Sequence, residues 1–125
     1  MRIPPLLIVT AVGEAGAGLA LLVVPAPVLA WLFGWHQPAP EILVIARWAG
    51  AGTLGLAIAS WRARHDRRTP AQIGLVTGLL FFNVVLAVMF AYTGAVMGMA
   101  GVLLWPAVAF HVLMAAWCLA SPRVK

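Results

Sequence analysis

The hydrophobic pattern of the chain consists of four long apolar segments separated by short polar or proline-containing connections. The segments cover residues 5–24, 42–61, 71–92 and 102–120. A helix rises about 1.5 Å per residue and a hydrocarbon core is about 30 Å thick, so about 20 apolar residues cross it. Strands of a membrane barrel would be shorter and would alternate in polarity. The pattern therefore predicts four transmembrane helices.

Two prolines interrupt the apolar stretch that follows the first segment. Pro25 and Pro27 lack an N–H donor and crowd the preceding turn, so they end the first helix. The aromatic residues that follow suit the outer membrane interface, and Gly34 suits a helix end. We expect a short interfacial helix over residues 27–33. The predicted fold is all-α: one transmembrane domain over residues 1–125, built as an integral membrane four-helix bundle.

The basic residues lie almost entirely at one set of segment ends. Seven of the eight stand at the amino terminus, in the central connection or at the carboxyl terminus. The central connection carries Arg62, Arg64, Arg67 and Arg68, followed by Thr69, a good helix N-cap. Because Lys and Arg favour the cytoplasmic side, we expect both termini and this loop in the cytoplasm of a bacterium, with the helices in its inner membrane. The four arginines are expected to contact anionic lipid headgroups.

One polar or ionisable residue lies deep inside each apolar segment. These residues are Glu14, Arg47, Asn83 and His111. Counting the rise per residue from the predicted outer ends puts their Cα atoms in one slab roughly 8 Å thick. Ionisable groups are costly in hydrocarbon, so we expect an intramembrane polar cluster. Two arrangements stay open for Glu14: a buried ion pair with Arg47, which we favour, or a proton-exchange site. Arg47 could instead reach outward to the interface.

Small residues at four-residue spacing indicate where membrane helices approach each other. Ala51, Gly55 and Ala59 form one row on the second segment, and Gly74 and Gly78 form a GxxxG on the third. Such rows mark the faces that membrane helices turn toward their neighbours. We therefore expect both rows to lie in helix contacts and the polar residues that share such faces to point into the bundle.

Several classes of function find no support in the sequence. The positive charge has no basic face or aromatic-interleaved motif beside it, so we expect no nucleic-acid binding. No Ser or Cys stands with a His and an acid in a catalytic arrangement, and no spacing fits a metal or haem site. The single cysteine, Cys118, suits a packing role. We expect no enzymatic activity, no catalytic residue, no cofactor and no metal.

Two families share features with this chain. Its first segment ends in a proline-interrupted Trp/Phe stretch, and residues 47–52 (RWAGAG) open the second segment. These features, which span most of the chain, resemble the small bacterial four-helix membrane proteins called DoxX-like, and they imply the four-helix fold. Glu14 is similar to the buried glutamate of small multidrug resistance transporters, which exchanges protons for cationic drugs. This chain differs from those transporters in carrying Arg47 near the depth of Glu14.

The sequence thus leads to two predicted functions. The first is a non-enzymatic accessory or assembly subunit of the inner membrane, whose partner is a second copy or another membrane protein. The alternative is a proton-coupled small-molecule transporter that uses Glu14 as its proton site. One structural observation separates them: Glu14 either forms an ion pair with Arg47 or lines an open cavity.

The distribution of basic residues generates a topology test. Reporters fused after Lys125 and within residues 64–68 should both report a cytoplasmic location, because seven Lys and Arg residues flank the same side. Paired reporters, one active only in the cytoplasm and one only in the periplasm, measure this directly. A periplasmic signal at either position contradicts the predicted orientation.

Overall fold

In the part of the chain that the structure describes, the fold consists of five α-helices joined by short connections. The computed structural model describes residues 3–66 and 68–121. Its helices are α1 (Ile3–Val23), α2 (Pro25–Phe33), α3 (Pro40–Ala63), α4 (Pro70–Ala95) and α5 (Leu104–Ala120). The all-α class is therefore confirmed. Arg2, Arg67, Arg123 and Lys125, which contribute to the predicted cytoplasmic charge, lie outside the described residues.

Three of the helices, α1, α3 and α4, are long and apolar enough to cross a membrane. The helix α5 is also apolar but has 17 residues, a length of about 26 Å. It is shorter than the predicted segment 102–120 because Val102 and Leu103 form a turn before the helix begins. The helix α2 covers the predicted short helix and starts at Pro25 rather than at residue 27.

The break between α1 and α2 follows from proline chemistry. Pro25 has no N–H to donate to the carbonyl of Leu21, and it occupies the first helical position of α2 instead. At the other end of α2, Gly34 adopts a left-handed conformation with φ of 68°. Its N–H donates to the carbonyl of Ala30, which closes the last turn. The predicted helix end at Gly34 is confirmed.

The connection before α5 packs against the carboxyl-terminal end of α2. The N–H groups of Gly101 and Leu103 donate to the carbonyls of Leu32 and Trp31, at 2.9 and 2.8 Å. A Cβ atom at position 101 would lie 2.1 Å from the carbonyl oxygen of Trp31. Only glycine fits this contact, which satisfies helix-end carbonyls that would otherwise lack donors.

The helix α4 begins as the sequence predicted. Thr69 is its N-cap: the hydroxyl oxygen accepts a hydrogen bond of 3.2 Å from the backbone N–H of Gln72, and Pro70 is the first helical residue. The Gln72 side chain does not return to Thr69. Its amide nitrogen donates to the carbonyls of Ala63 and Asp66, at 2.8 and 3.1 Å. Gln72 therefore ties the end of α3 to the start of α4.

The most extensive helix packing occurs within two pairs, α1 with α3 and α4 with α5. The first pair meets through two glycines. A Cβ atom on Gly18 would lie 2.8 Å from the backbone nitrogen of Leu54, and one on Gly50 would lie 2.8 Å from the carbonyl oxygen of Gly18. The two backbones therefore approach as closely as the absence of side chains allows.

An apolar cluster joins α1 to the pair of α4 and α5. It lies where α1 and α4 begin and α5 ends, which is the end of the bundle that carries the arginine-rich connection. Its buried members are Ile3, Leu6, Leu7, Val76, Leu79, Met114 and Cys118. Cys118 thus has the packing role that the sequence predicted for it.

The predicted rows of small residues are not at these helix contacts. They lie on exposed faces: Ala51, Gly55 and Ala59 on α3, and Gly74 and Gly78 on α4. A Cβ atom at any of the three glycines would meet no heavy atom within 4 Å. Within the described residues the rows therefore make no contact between helices of this chain. The helix α3 carries small residues on every side, so their spacing does not select the face that meets α1. The partner face of α3 is the one with Gly50 and Ala57.

The glycine contact generates a stability test with a control on the same helix. Gly50→Ala should destabilise the fold by about 1–3 kcal/mol, because the added methyl group meets the backbone of α1. Gly55→Ala should be neutral or stabilising by about 0.5–1 kcal/mol, because the position is open and alanine favours helix. Thermal unfolding in detergent measures both variants. Equal losses would mean that the α1–α3 contact does not depend on Gly50.

Candidate functional site

Arg47 projects from an exposed position on α3 to the carboxyl-terminal end of α1. Its Nε donates a hydrogen bond of 3.1 Å to the carbonyl oxygen of Leu22. That carbonyl belongs to the last turn of α1, which the break before Pro25 leaves short of helical donors. A cation is favourable there because helix carbonyl dipoles point toward it. Arg47 therefore caps α1.

The favoured ion pair between Glu14 and Arg47 is not formed. Within residues 3–66 and 68–121, the Glu14 carboxylate has no ion-pair partner, and Arg47 is directed at Leu22. Leu22 lies eight residues beyond Glu14 on α1, about 12 Å along the helix. The physical reason is side-chain direction: Arg47 leans toward the amino terminus of α3, away from the level of Glu14. Arg47 thus follows the other alternative given above: its side chain is directed away from Glu14, and it donates to the carbonyl oxygen of Leu22.

Asn83 and His111 do come together, across the α4–α5 interface. The His111 Nδ1 and the Asn83 Oδ1 are 2.8 Å apart, and the Asn83 Nδ2 donates to the carbonyl of Leu79 at 2.8 Å. A carbonyl oxygen only accepts, so the amide nitrogen of Asn83 must face Leu79 and its oxygen must face His111. In the neutral ring, Nδ1 of His111 therefore carries the hydrogen and Nε2 carries the free lone pair.

Three phenylalanine rings surround the His111 imidazole. The ring centroids of Phe82, Phe90 and Phe110 lie 6.0, 5.7 and 5.4 Å from that of His111, in tilted or edge-to-face orientations. Phe90 in turn contacts Phe33 of α2 at 5.8 Å. Edge-to-face contacts fix ring orientation as well as burying area. The imidazole is thus held in one orientation by Asn83 and by apolar rings from two helices.

Glu14 and His111 line one cavity between α1 and α5. Its volume is about 270 Å³, and Gly13, Ala17, Ala107 and Phe110 complete its lining. The side chains of Glu14 and His111 are buried, with 4% and 7% of their surface exposed. In the part of the chain that the structure describes, Glu14 has no hydrogen-bond partner. The structure therefore brings together Glu14, His111 and Asn83 of the predicted cluster, and leaves Arg47 apart.

The chemistry available in this cavity is proton transfer and hydrogen bonding. A carboxyl group and a neutral imidazole can each take up or release a proton, and each can bind a polar group of a small molecule. The lining offers no hydroxyl or thiol nucleophile. Among the described residues, no group of three His, Cys, Asp or Glu side chains is arranged to hold a metal ion. The chemistry that Glu14 and His111 themselves support in this lining is proton exchange.

The arginine-rich connection between α3 and α4 is partly ordered by its own aromatic residue. The Arg64 guanidinium lies 3.8 Å above the Trp61 ring and donates a hydrogen bond to the Trp61 carbonyl. Arg62 and Arg68 are exposed to the surroundings. Arg67, the fourth arginine expected at lipid headgroups, lies outside the described residues.

These contacts predict opposite outcomes for two double-mutant cycles. Asn83→Leu and His111→Phe should be coupled by about 0.6–1.7 kcal/mol, the range of hydrogen bonds between membrane helices, because the two side chains share one bond. Glu14→Leu and Arg47→Leu should add within about 0.5 kcal/mol, because they share no partner. Thermal unfolding of the four single and two double variants measures both couplings. Coupling between Glu14→Leu and Arg47→Leu would show that the two side chains interact, and would contradict the geometry described above.

Comparison with known proteins gives no relative from which a function could be inferred. No protein-family model, no curated protein and no solved structure matches the chain. The resemblances to DoxX-like proteins and to small multidrug resistance transporters therefore stay predictions from the sequence. Any function must be argued from the cavity itself.

Proposed function

We propose that the chain is an integral protein of a bacterial inner membrane. In this proposal α1, α3, α4 and α5 cross the bilayer as a four-helix bundle, and α2 lies in the outer interface. The length and apolarity of α1, α3 and α4 support it. The helix α5, at about 26 Å, is a few ångströms short of a typical hydrocarbon core. A mismatch of that size is accommodated by local thinning of the bilayer at modest cost.

The orientation in this proposal rests on the basic residues. Arg62, Arg64 and Arg68 stand at the end of the bundle where α3 stops and α4 starts, and the sequence adds Arg67 to them. The opposite connections, residues 34–39 and 96–103, contain neither Lys nor Arg. Because positive loops stay in the cytoplasm, both termini and the arginine-rich connection are assigned to that side.

We further propose that the protein is a proton-coupled carrier of a small molecule, with Glu14 and His111 as its exchange site. The observation that carries the proposal is a buried glutamate that forms no ion pair within residues 3–66 and 68–121 and that lines one cavity together with His111. A lone carboxylate is costly in an apolar environment, so the carboxyl is expected to hold a proton that a bound molecule can displace. A Glu14–Arg47 pair would have favoured the accessory interpretation, and within the described residues that pair is not formed.

The distribution of packing along the bundle is compatible with a carrier that is closed on one side. The apolar cluster of Ile3, Leu6, Leu7, Val76, Leu79, Met114 and Cys118 fills the cytoplasmic end in the proposed orientation. The Glu14–His111 cavity lies beyond this cluster, toward the opposite side. Transport through the cytoplasmic end would require this cluster to open.

A second candidate function has one observation in its favour. The small-residue rows on α3 and α4 are exposed and open, so another membrane helix could approach them closely. A second copy of the chain or a partner membrane protein would satisfy them, as an accessory or assembly subunit requires. This role does not conflict with a proton site, because the rows lie on helices other than α1 and α5.

The proton-site proposal is tested by carboxyl chemistry. Dicyclohexylcarbodiimide reacts with protonated carboxyl groups in apolar surroundings, so it should label Glu14 in bilayers, as read by peptide mass spectrometry. Glu41, which is exposed in the first turn of α3, should stay unlabelled. Labelling of neither residue would show that the Glu14 carboxyl is ionised or inaccessible, and would exclude this exchange site.

Transport itself is tested in proteoliposomes that contain a pH-sensitive dye. An imposed pH gradient should drive uptake of one or more members of a panel of small organic solutes, with a matching proton flux. Glu14→Gln should reduce that flux to the level of empty liposomes, because an amide cannot exchange the proton. Glu41→Gln makes the same replacement outside the cavity and should leave the flux unchanged. Flux that survives in Glu14→Gln contradicts the proposed role of the residue.

A further inference from the structure

A second, chemically different groove lies between α1 and α3. Its volume is about 280 Å³. The buried side chains of Ala11 and Ala57 form its floor, and the exposed side chains of Val12, Ile58 and Trp61 form its walls. Every one of these residues is apolar, and the one charged residue in the lining is Arg62. The groove is therefore an apolar slot with a cation at one end.

The charged end of the groove lies at the level of the arginine-rich connection. Arg62 is exposed there, two residues from Arg64. The Arg64 guanidinium covers the Trp61 ring and donates to the Trp61 carbonyl, so the indole that forms the groove wall is held in place. Asp66 is the acidic residue of this region, and within the described residues its carboxylate pairs with neither guanidinium. Among the described residues, the Arg62 guanidinium at the mouth of the groove thus forms no ion pair.

We infer that this groove binds one acyl chain of an anionic phospholipid whose phosphate is contacted by Arg62. The inference rests on the proposed membrane location. A phospholipid has an apolar chain inside the membrane and a negative headgroup at its surface. The chain would match the apolar slot, and the headgroup would match the Arg62 guanidinium at the end of the slot. Arginine is well suited to phosphate because its planar donors bind two oxygens at once.

Charge also argues against a second copy of this chain as the occupant. If two copies were related by a two-fold axis along the membrane normal, Arg62 and Arg64 of both chains would lie beside each other at the same depth. Among the described residues, each copy brings one carboxylate, Asp66, against the guanidinium groups of Arg62, Arg64 and Arg68, so a net repulsion remains. The negative headgroup of an anionic lipid would instead be attracted to the same arginines.

The inference is tested with the full chain in phosphatidylcholine nanodiscs that contain a minor fraction of phosphatidylglycerol. Native mass spectrometry then measures how much phosphatidylglycerol stays bound. Arg62→Gln should lower the retained phosphatidylglycerol about fivefold, because one arginine near an anionic surface is lost. Arg68→Gln removes an equal charge from the adjoining connection, outside the groove lining, so it should cause a clearly smaller loss.

The apolar part of the site has its own matched pair of variants. Ala15, which lines the groove, is replaced in Ala15→Phe so that the ring fills the slot while Arg62 stays intact. This variant should lose bound phosphatidylglycerol, whereas Ala109→Phe on an exposed face of α5 should retain it. Short-chain dihexanoyl phosphatidylglycerol should compete poorly with the long-chain lipid, because it cannot fill the groove. Thermal unfolding checks that both phenylalanine variants are folded.

The outcomes separate this inference from the membrane proposal. Equal losses in Arg62→Gln and Arg68→Gln, together with full retention in Ala15→Phe, would show attraction to a charged loop alone and would overturn the groove site. A chain that fails to enter bilayers of any composition would instead overturn the membrane location on which the site depends.

Discussion

The close approach of α1 and α3 at Gly18 and Gly50 is the contact on which the rest of the arrangement depends. Because neither residue has a side chain, the two backbones meet there at contact distance. The approach brings Arg47, three residues before Gly50 on α3, to the carboxyl-terminal end of α1, where its guanidinium caps the Leu22 carbonyl. Glu14 lies four residues before Gly18 on α1, at a different level from the Arg47 guanidinium, and it lines a cavity together with His111 of α5.

The parts of the structure that the sequence predicts well are those set by local chemistry. Proline at position 25 ends α1, Gly34 ends α2, and Thr69 starts α4, each through backbone donors or dihedral angles that neighbouring residues determine. The extent of apolar segments likewise predicts the helices, because the apolar stretches are far longer than a strand. These signals need no knowledge of how the helices are arranged.

The parts that the sequence could not predict depend on which faces meet. The helix α3 carries small residues on every side, so spacing alone could not show that Gly50 meets α1 and that Gly55 does not. The estimate of equal depth correctly put Asn83 near His111 but also put Arg47 near Glu14, because depth does not record the direction of a side chain. The phenylalanines around His111 were not singled out, although Phe110 is its neighbour in sequence and Phe82 adjoins Asn83.

The proposed account assigns different roles to the two sides of α1. One side, with α5, forms the cavity of Glu14 and His111, where a proton and a small molecule would exchange. The other, with α3, forms an apolar slot that ends at Arg62 and suits a lipid chain. The central claim is that the Glu14 carboxyl is protonated at rest. Infrared difference spectroscopy of the protein in bilayers tests it most directly. The account predicts a protonated-carboxyl stretch at neutral pH that disappears in Glu14→Gln and persists in Glu41→Gln. A spectrum without that band, or with a band that survives in Glu14→Gln, would contradict it.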